Sequence, residues 1–212
     1  MNHSKLKIAL ASAALAVSGA AMADQPSWTF VGLKGGLAES PSDGEETGNY
    51  RFGIEGSVAL FNIMHLSGEY TAGNVEAEDG NGVEIIDSDL DVWEIALGSH
   101  VSVSDNADLY LEGIFGNVDL DDLDDSDIYG GAVGARVMLT DRAEINVGVE
   151  ALEVDETSSQ EISPFAGGRY SFTDLFSVGV EAKVDNARYL GENSLDVDVR
   201  FSFGDQSWLG NN

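Results

Sequence analysis

The chain has 212 residues, with 38 Asp and Glu against 10 Lys and Arg, a formal charge of −28 at pH 7, and a hydrophobic content of 43%. Aromatic residues at 8% and abundant Val and Ile exclude a disordered acidic tail, and the charge excludes nucleic acid as a partner. The absence of Cys excludes a disulfide framework, a thiolate metal site and a Cys nucleophile, while 25 Gly against 3 Pro points to close backbone approaches and tight turns.

The first segment sets the expected compartment. Lys5 and Lys7 form a short basic region, Ile8 to Val17 is an apolar, Ala-rich run, and Ala21-Met22-Ala23 has the small-x-small pattern of a signal-peptidase site. The apolar run is shorter than the ~20 residues that a spanning helix needs. Residues 1–23 therefore read as a cleaved secretory signal, with cleavage after Ala23 and Asp24 as the first mature residue. No later stretch is apolar enough for a spanning helix, so any membrane crossing is made by strands in a closed barrel.

Downstream the dominant period is two. In 49–60, Tyr50, Phe52, Ile54, Val58 and Leu60 share one face, while Arg51, Gly53, Glu55, Ser57 and Ala59 share the other, the pattern of a half-apolar strand. In chain order the same reading predicts strands at 27–38, 49–60, 64–73, 90–103, 108–118, 128–139, 143–153, 162–172, 175–184 and 194–203. That makes ten, or eight if a weak hairpin is lost, with no helix after the signal. Their lengths cluster near the ~9–11 residues with which a tilted strand crosses the hydrocarbon layer.

The connections alternate in kind. Four are tight, around Phe61-Asn62-Ile63, Ser104-Asp105-Asn106-Ala107, Thr140-Asp141-Arg142 and Thr173-Asp174, each with an Asn or Asp to support a turn. The other five, at about 39–48, 74–89, 119–127, 154–161 and 185–193, are longer, polar and mostly acidic. Short turns at one end and long loops at the other predict an all-β, antiparallel up-and-down transmembrane β-barrel over 24–203 in the cell outer membrane. Its long loops would be extracellular, its turns and termini periplasmic, and 204–212 a short periplasmic tail.

Each face carries its own pattern. Tyr50, Trp93 and Tyr129 stand where strands descend from the long loops, with Tyr70 near the end of one ascending toward them, and would form an outer aromatic belt. Phe61, Tyr170, Phe172, Phe176, Phe201 and Phe203 gather at the tight-turn end as a second belt. The polar face, as lumen, receives Lys34, Arg51, Arg136, Arg169, Lys183 and Arg200 with Glu55, Glu69, Glu94, Glu112, Glu144, Glu150, Glu181, Asp196 and Asp198. Charges in a low-dielectric tube cost several kcal/mol each unless paired, which predicts an ion-pair network bracing the barrel. The other reading is a narrow pore whose acidic excess favours small cations, with Gly53, Gly98, Gly116, Gly134 and Gly148 leaving space.

The signal, the up-and-down alternation and the final strand Leu195-Asp196-Val197-Asp198-Val199-Arg200-Phe201-Ser202-Phe203 together resemble the small outer-membrane β-barrel family that includes the OmpA and OmpX transmembrane domains. In that family the last strand alternates apolar residues and closes on an aromatic. Leu195, Val197, Val199, Phe201 and Phe203 match this alternation, which by resemblance makes Phe203 an assembly signal and the barrel-assembly machinery a partner. The chain departs from the family by continuing through Gly204–Asn212, and by ten strands where familiar members often have eight.

The role expected is structural or passive and porin-like, without cofactor or catalysis, in contact with outer-membrane lipid and lipopolysaccharide. Three other readings share the pattern. A soluble secreted or periplasmic ligand-binding barrel has the same period with its apolar face turned inward. The acidic loops, above all Asp119 to Asp127 with six carboxylates, are a solvated surface, a divalent-cation site bridging to lipopolysaccharide, or a platform for adhesion and interaction. His65 with Ser67 and Glu69, and His100 with Ser102, superficially resemble a hydrolase set, although alternation alone places polar residues on one face.

Overall fold

The structure, a computed structural model, describes residues 26–39, 48–78, 84–120, 125–155, 160–184 and 193–203. Ten strands follow in order: β1 (Phe30–Glu39), β2 (Gly48–Leu60), β3 (Met64–Glu78), β4 (Glu84–Ser104), β5 (Ala107–Leu120), β6 (Ser126–Thr140), β7 (Ala143–Val154), β8 (Gln160–Ser171), β9 (Phe176–Val184) and β10 (Asn193–Ser202). Each pairs antiparallel with its sequence neighbours, and β1 closes on β10 from Phe30↔Ser202 to Glu39↔Asn193. The result is the ten-stranded up-and-down barrel, with no open edge to expose backbone donors and acceptors. The predicted signal, the tail 204–212 and most of the long connections lie outside the described residues.

Strand ends differ from the sequence reading where the apolar alternation stops before the backbone ladder does. β3 and β4 stay paired through Asn74↔Asp89 and Val75↔Ser88, so much of the predicted 74–89 loop is strand. Likewise β5 reaches Leu120 and β6 starts at Ser126, shortening the predicted 119–127 loop. Period-two reading follows side chains, whereas ladder hydrogen bonds need only backbone. At the other end β1 begins at Phe30 and β10 ends at Ser202, one residue short of Phe203, with a last backbone bond from Phe203 N–H to the Thr29 carbonyl before Pro26 to Trp28 leave the ladder.

Side-chain oxygens build two of the tight turns. Thr140 Oγ1 accepts from the backbone of Arg142 at 3.2 Å and Ala143 at 3.0 Å, and Thr173 Oγ1 does the same for Leu175 at 3.3 Å and Phe176 at 3.0 Å. At the second turn Asn106 Nδ2 donates to the carbonyl of Met138 at 2.9 Å, tying it to the third. The first turn, Phe61–Ile63, takes a left-handed φ of 60° at Phe61.

Alternation now acquires an inside and an outside. Leu33, Phe52, Ile54, Ile95, Leu97, Leu111, Val133 and Val197 are 48–61% exposed, while His65, Asp108, Arg136, Glu144, Asp196 and Asp198 are buried. This is the reverse of a soluble ligand-binding barrel, which would hide its apolar face. An apolar belt of this extent on the outer wall fits lipid. Replacing outward-facing Leu111 by Arg is therefore expected to destabilise the vesicle-embedded protein by about 2–4 kcal/mol in urea unfolding. A change within about 0.5 kcal/mol, the range of an ordinary surface substitution, would contradict the assignment of that wall to lipid.

Candidate functional site

The bore is organised by pairs of side chains that reach across an intervening strand. Arg200 on β10 and Glu55 on β2 both sit opposite Gly32 of β1, and they join over it through Nε···Oε1 at 2.6 Å and Nη2···Oε2 at 3.0 Å. Arg51 and Asp196 flank Gly36 in the same way and are joined by Nε···Oδ1 at 2.9 Å and a second short contact from Nη2. Arg169 and Asp198 flank Gly179 of β9 and meet at 2.6 Å. His65 and Glu112 flank Gly98 of β4 and also meet at 2.6 Å. In each case the glycine clears the path. A Cβ on Gly32 would lie 2.7 Å from Glu55 Oε1, one on Gly98 2.8 Å from Glu112 Cγ, and one on Gly179 2.8 Å from Arg169 Nη2.

Other pairs complete the set. Lys34 donates to Glu69 at 2.6 Å, and Thr71 Oγ1 donates to the same carboxylate oxygen at 2.8 Å. Arg136 grips Glu144 with two bonds of 2.8 and 3.0 Å, and Lys183 pairs with Glu150. All six inward cations named from the sequence thus have a carboxylate partner, each a different one of the nine acids. Glu112 serves His65, and Asn146 Nδ2 reaches Glu181 at 3.5 Å. Of the nine acids named from the sequence, Glu94 and Glu181, both lining the central space, are the two outside any ion pair among the described residues.

Glycines read from the sequence as empty space are instead covered. Tyr110 lies over Gly134, Phe165 over Gly148, His65 over Gly98 and Thr71 against Gly53, while Gly116 backs onto Glu94. What remains is a chamber of about 200 Å³. Its walls carry Glu55, Glu69, Glu94, Glu112, Glu150 and Glu181 against Arg136, Lys183 and Arg200, so carboxylate predominates where a solute would sit.

The chamber has unlike ends. Near the long connections an inward apolar patch, Leu90, Val118 and Ile128 with Val92 and Leu152 against them, lines the β4–β7 wall. Near the tight turns Trp28 stacks on His65 and His100 at centroid distances of 4.2 and 4.5 Å and meets Tyr110 edge-on at 5.6 Å. Its Nε1 donates to Asp108 Oδ2 at 3.0 Å, and the Arg136 guanidinium lies 4.5 Å from its ring centre. The sequence reading missed Trp28, Asp108, Tyr110, Phe165 and the apolar patch. A signal for the first was present, since Trp28 shares its parity with Gly32 and Lys34 on the polar face.

His65 and Glu69 are engaged outside the hydrolase pattern. His65 turns to Glu112 and to His100, with Nδ1 atoms 3.4 Å apart, and Glu69 is occupied by Lys34 and Thr71. Ser102 donates to Asp108 at 2.8 Å. Among the described residues no group of three or more His, Asp or Glu is arranged to hold a metal ion.

On the outer wall Tyr50, Tyr70, Trp93 and Tyr129 are exposed, with Tyr70 directly opposite Trp93 and donating to Asp91. Tyr170, Phe172, Phe176 and Phe201 form a chain of rings at 5.1, 5.8 and 5.6 Å beside the last tight turn. Phe61 and Phe203 are exposed at the same end. Phe203 donates its backbone N–H to the carbonyl of Thr29 at 3.0 Å, just beyond the β1–β10 seam.

Comparison with known proteins decides the family, because the sequence matches the outer membrane protein beta-barrel domain over residues 8–183. The chain belongs to that family. Its solved likenesses include the KdgM porin in complex with disordered oligogalacturonate, at 13% identity and a TM-score of 0.48 over 82% of this chain and 99% of that one. An outer-membrane channel from Pseudomonas putida F1 matches at 10% identity and a TM-score of 0.49 over 88% and 100%. The NanC porin matches at 9% identity and a TM-score of 0.43 over 82% and 100%. No curated protein sequence matches.

For this outer-membrane barrel the glycine clearance is directly testable. Gly179→Val is expected to displace the Arg169–Asp198 pair and destabilise the folded barrel by about 1–3 kcal/mol, as breaking a buried polar network does. Gly35→Val should be close to neutral, since its Cβ would point outward with its nearest contact at 3.7 Å. Equal unfolding midpoints for the two variants would contradict the assignment.

Proposed function

We propose that the protein is a passive, porin-like conduit of narrow bore, braced by its ion pairs and favouring small cations over anions. The observation that carries this reading is the charge of the chamber: its cations are each matched by a carboxylate, and Glu94 and Glu181 remain as uncompensated acids on its wall. A ring of carboxylate excess lowers the barrier for cations and raises it for anions. The brace sets the size limit, because side chains crossing the bore leave about 200 Å³, a volume for hydrated ions and very small solutes.

The same reading includes an export signal ending at Ala23, long acidic connections outside, and tight turns and termini in the periplasm. It sets Tyr50, Tyr70, Trp93 and Tyr129 at the outer interface and Phe61, Tyr170, Phe172, Phe176 and Phe201 at the inner one. Lipopolysaccharide, with divalent cations at the acidic connections, and the barrel-assembly machinery reading Phe203 complete the expected partners. The outward apolar wall and the position of the aromatic rings at its two ends support this placement.

Planar-bilayer reversal potentials in a KCl gradient test the proposal. The expected result is a K⁺/Cl⁻ permeability ratio above one that falls toward one in Glu94→Gln/Glu181→Gln. An anion-selective channel, or a ratio unmoved by the double variant, would contradict it.

A further inference from the structure

Thr29 still accepts the Phe203 N–H at the seam, but Pro26 to Trp28 do not extend β1 along the wall; they turn into the tight-turn mouth of the barrel. Five successive strands around that mouth, β2 to β6, supply groups that hold them. Trp28 is 6% exposed although it precedes the first strand. From β3 and β4, His65 and His100 provide the surface on which the indole stacks. From β5, Asp108 accepts the indole N–H, and it is itself held by Ser102. From β6, the Arg136 guanidinium lies against the ring and donates from Nη1 to the carbonyl of Ser27 at 2.9 Å. From β2, the backbone N–H of Ala59 donates to Thr29 Oγ1 at 3.1 Å.

These contacts differ from those elsewhere in the bore. The ion pairs join strand to strand and are part of the wall, whereas Trp28 is brought in by a segment outside the ladder. The indole also lines the chamber itself, beside Tyr110 and Arg136. Pro26 to Trp28 can leave without breaking the ladder, because the Thr29 carbonyl stays bonded to the Phe203 N–H and β1 keeps its full register with both neighbours from Phe30 onward.

We infer that the Ser27-Trp28 segment is a built-in stopper of the tight-turn mouth, docked through the indole and released as a unit to open the chamber. The inference rests on the conduit reading, and it assigns the control of that conduit to the residues just before β1. His65 and His100 are the stacking surface, Asp108 is the anchor, and Arg136 is the clamp on both ring and backbone.

Single-channel recording of the full protein, with heat-modifiable gel migration to confirm folding, tests the stopper. Trp28→Ala is expected to raise conductance several-fold while the folded mobility is kept. Asp108→Asn, which weakens the anchor and leaves the ring, is expected to give more frequent openings to the same high level. Trp28→Phe, which keeps the stacking on the imidazoles but removes the N–H that Asp108 accepts, is expected to behave like Asp108→Asn, with more frequent openings to the same high level. Unchanged conductance and opening frequency in folded Trp28→Ala overturns the stopper, as does the same result in folded Asp108→Asn if Trp28→Ala does not assemble. The two proposals fail separately. A Trp28→Ala channel that opens but shows no cation preference removes the selectivity and keeps the stopper. A cation-selective wild type unaffected by Trp28→Ala does the reverse.

Discussion

The constraint on which this barrel depends is that a cation pointing into its bore must find a carboxylate, in five of the six cases on the opposite side of a strand. An ion moved out of bulk water loses several kcal/mol of solvation, which only close pairing and added hydrogen bonds recover. Neighbouring strands are about 4.8 Å apart, so two long side chains facing each other two strands away can meet only above the residue between them. Gly32, Gly36, Gly98 and Gly179 occupy those intermediate places. The high glycine content of the chain is therefore partly an electrostatic requirement, expressed as clearance.

From this constraint follows the division of the interior. Bridges among β1, β2, β3 and β10 brace one side, and those among β6, β7, β8, β9 and β10 brace the other. Between them lies a chamber that inherits the surplus acids, with Trp28 at one end and an inward apolar patch toward the other. Structural bracing and passive conduction are thus compatible uses of the same residues. The pairs stabilise the wall, and in the proposed conduit the residual carboxylates would set the sign of the solute.

Much of the architecture was legible from alternation alone, because a lipid-facing wall and a polar bore impose opposite chemistries on successive residues. Tyr50 to Leu60 shows this, as do the six cations on the polar parity, all of which the structure joins to carboxylates. Register was not legible. Nothing in the sequence around Arg51 says that its carboxylate is Asp196, 145 positions away, since that depends on strand order and stagger. The glycines misled for the same reason: small residues look like space until the neighbours that lean over them are known. Trp28 was hidden differently, as an aromatic on a polar face, where the alternation rule expects charge or glycine.

The most direct test of the account is a double-mutant cycle on the bridge over Gly32, combining Glu55→Gln and Arg200→Gln, read by urea unfolding of the vesicle-embedded protein. The account predicts a coupling of about 1–3 kcal/mol between two residues that share no strand pairing. Additivity within about 0.3–0.5 kcal/mol would show that the pair does not brace the barrel and would contradict the central claim.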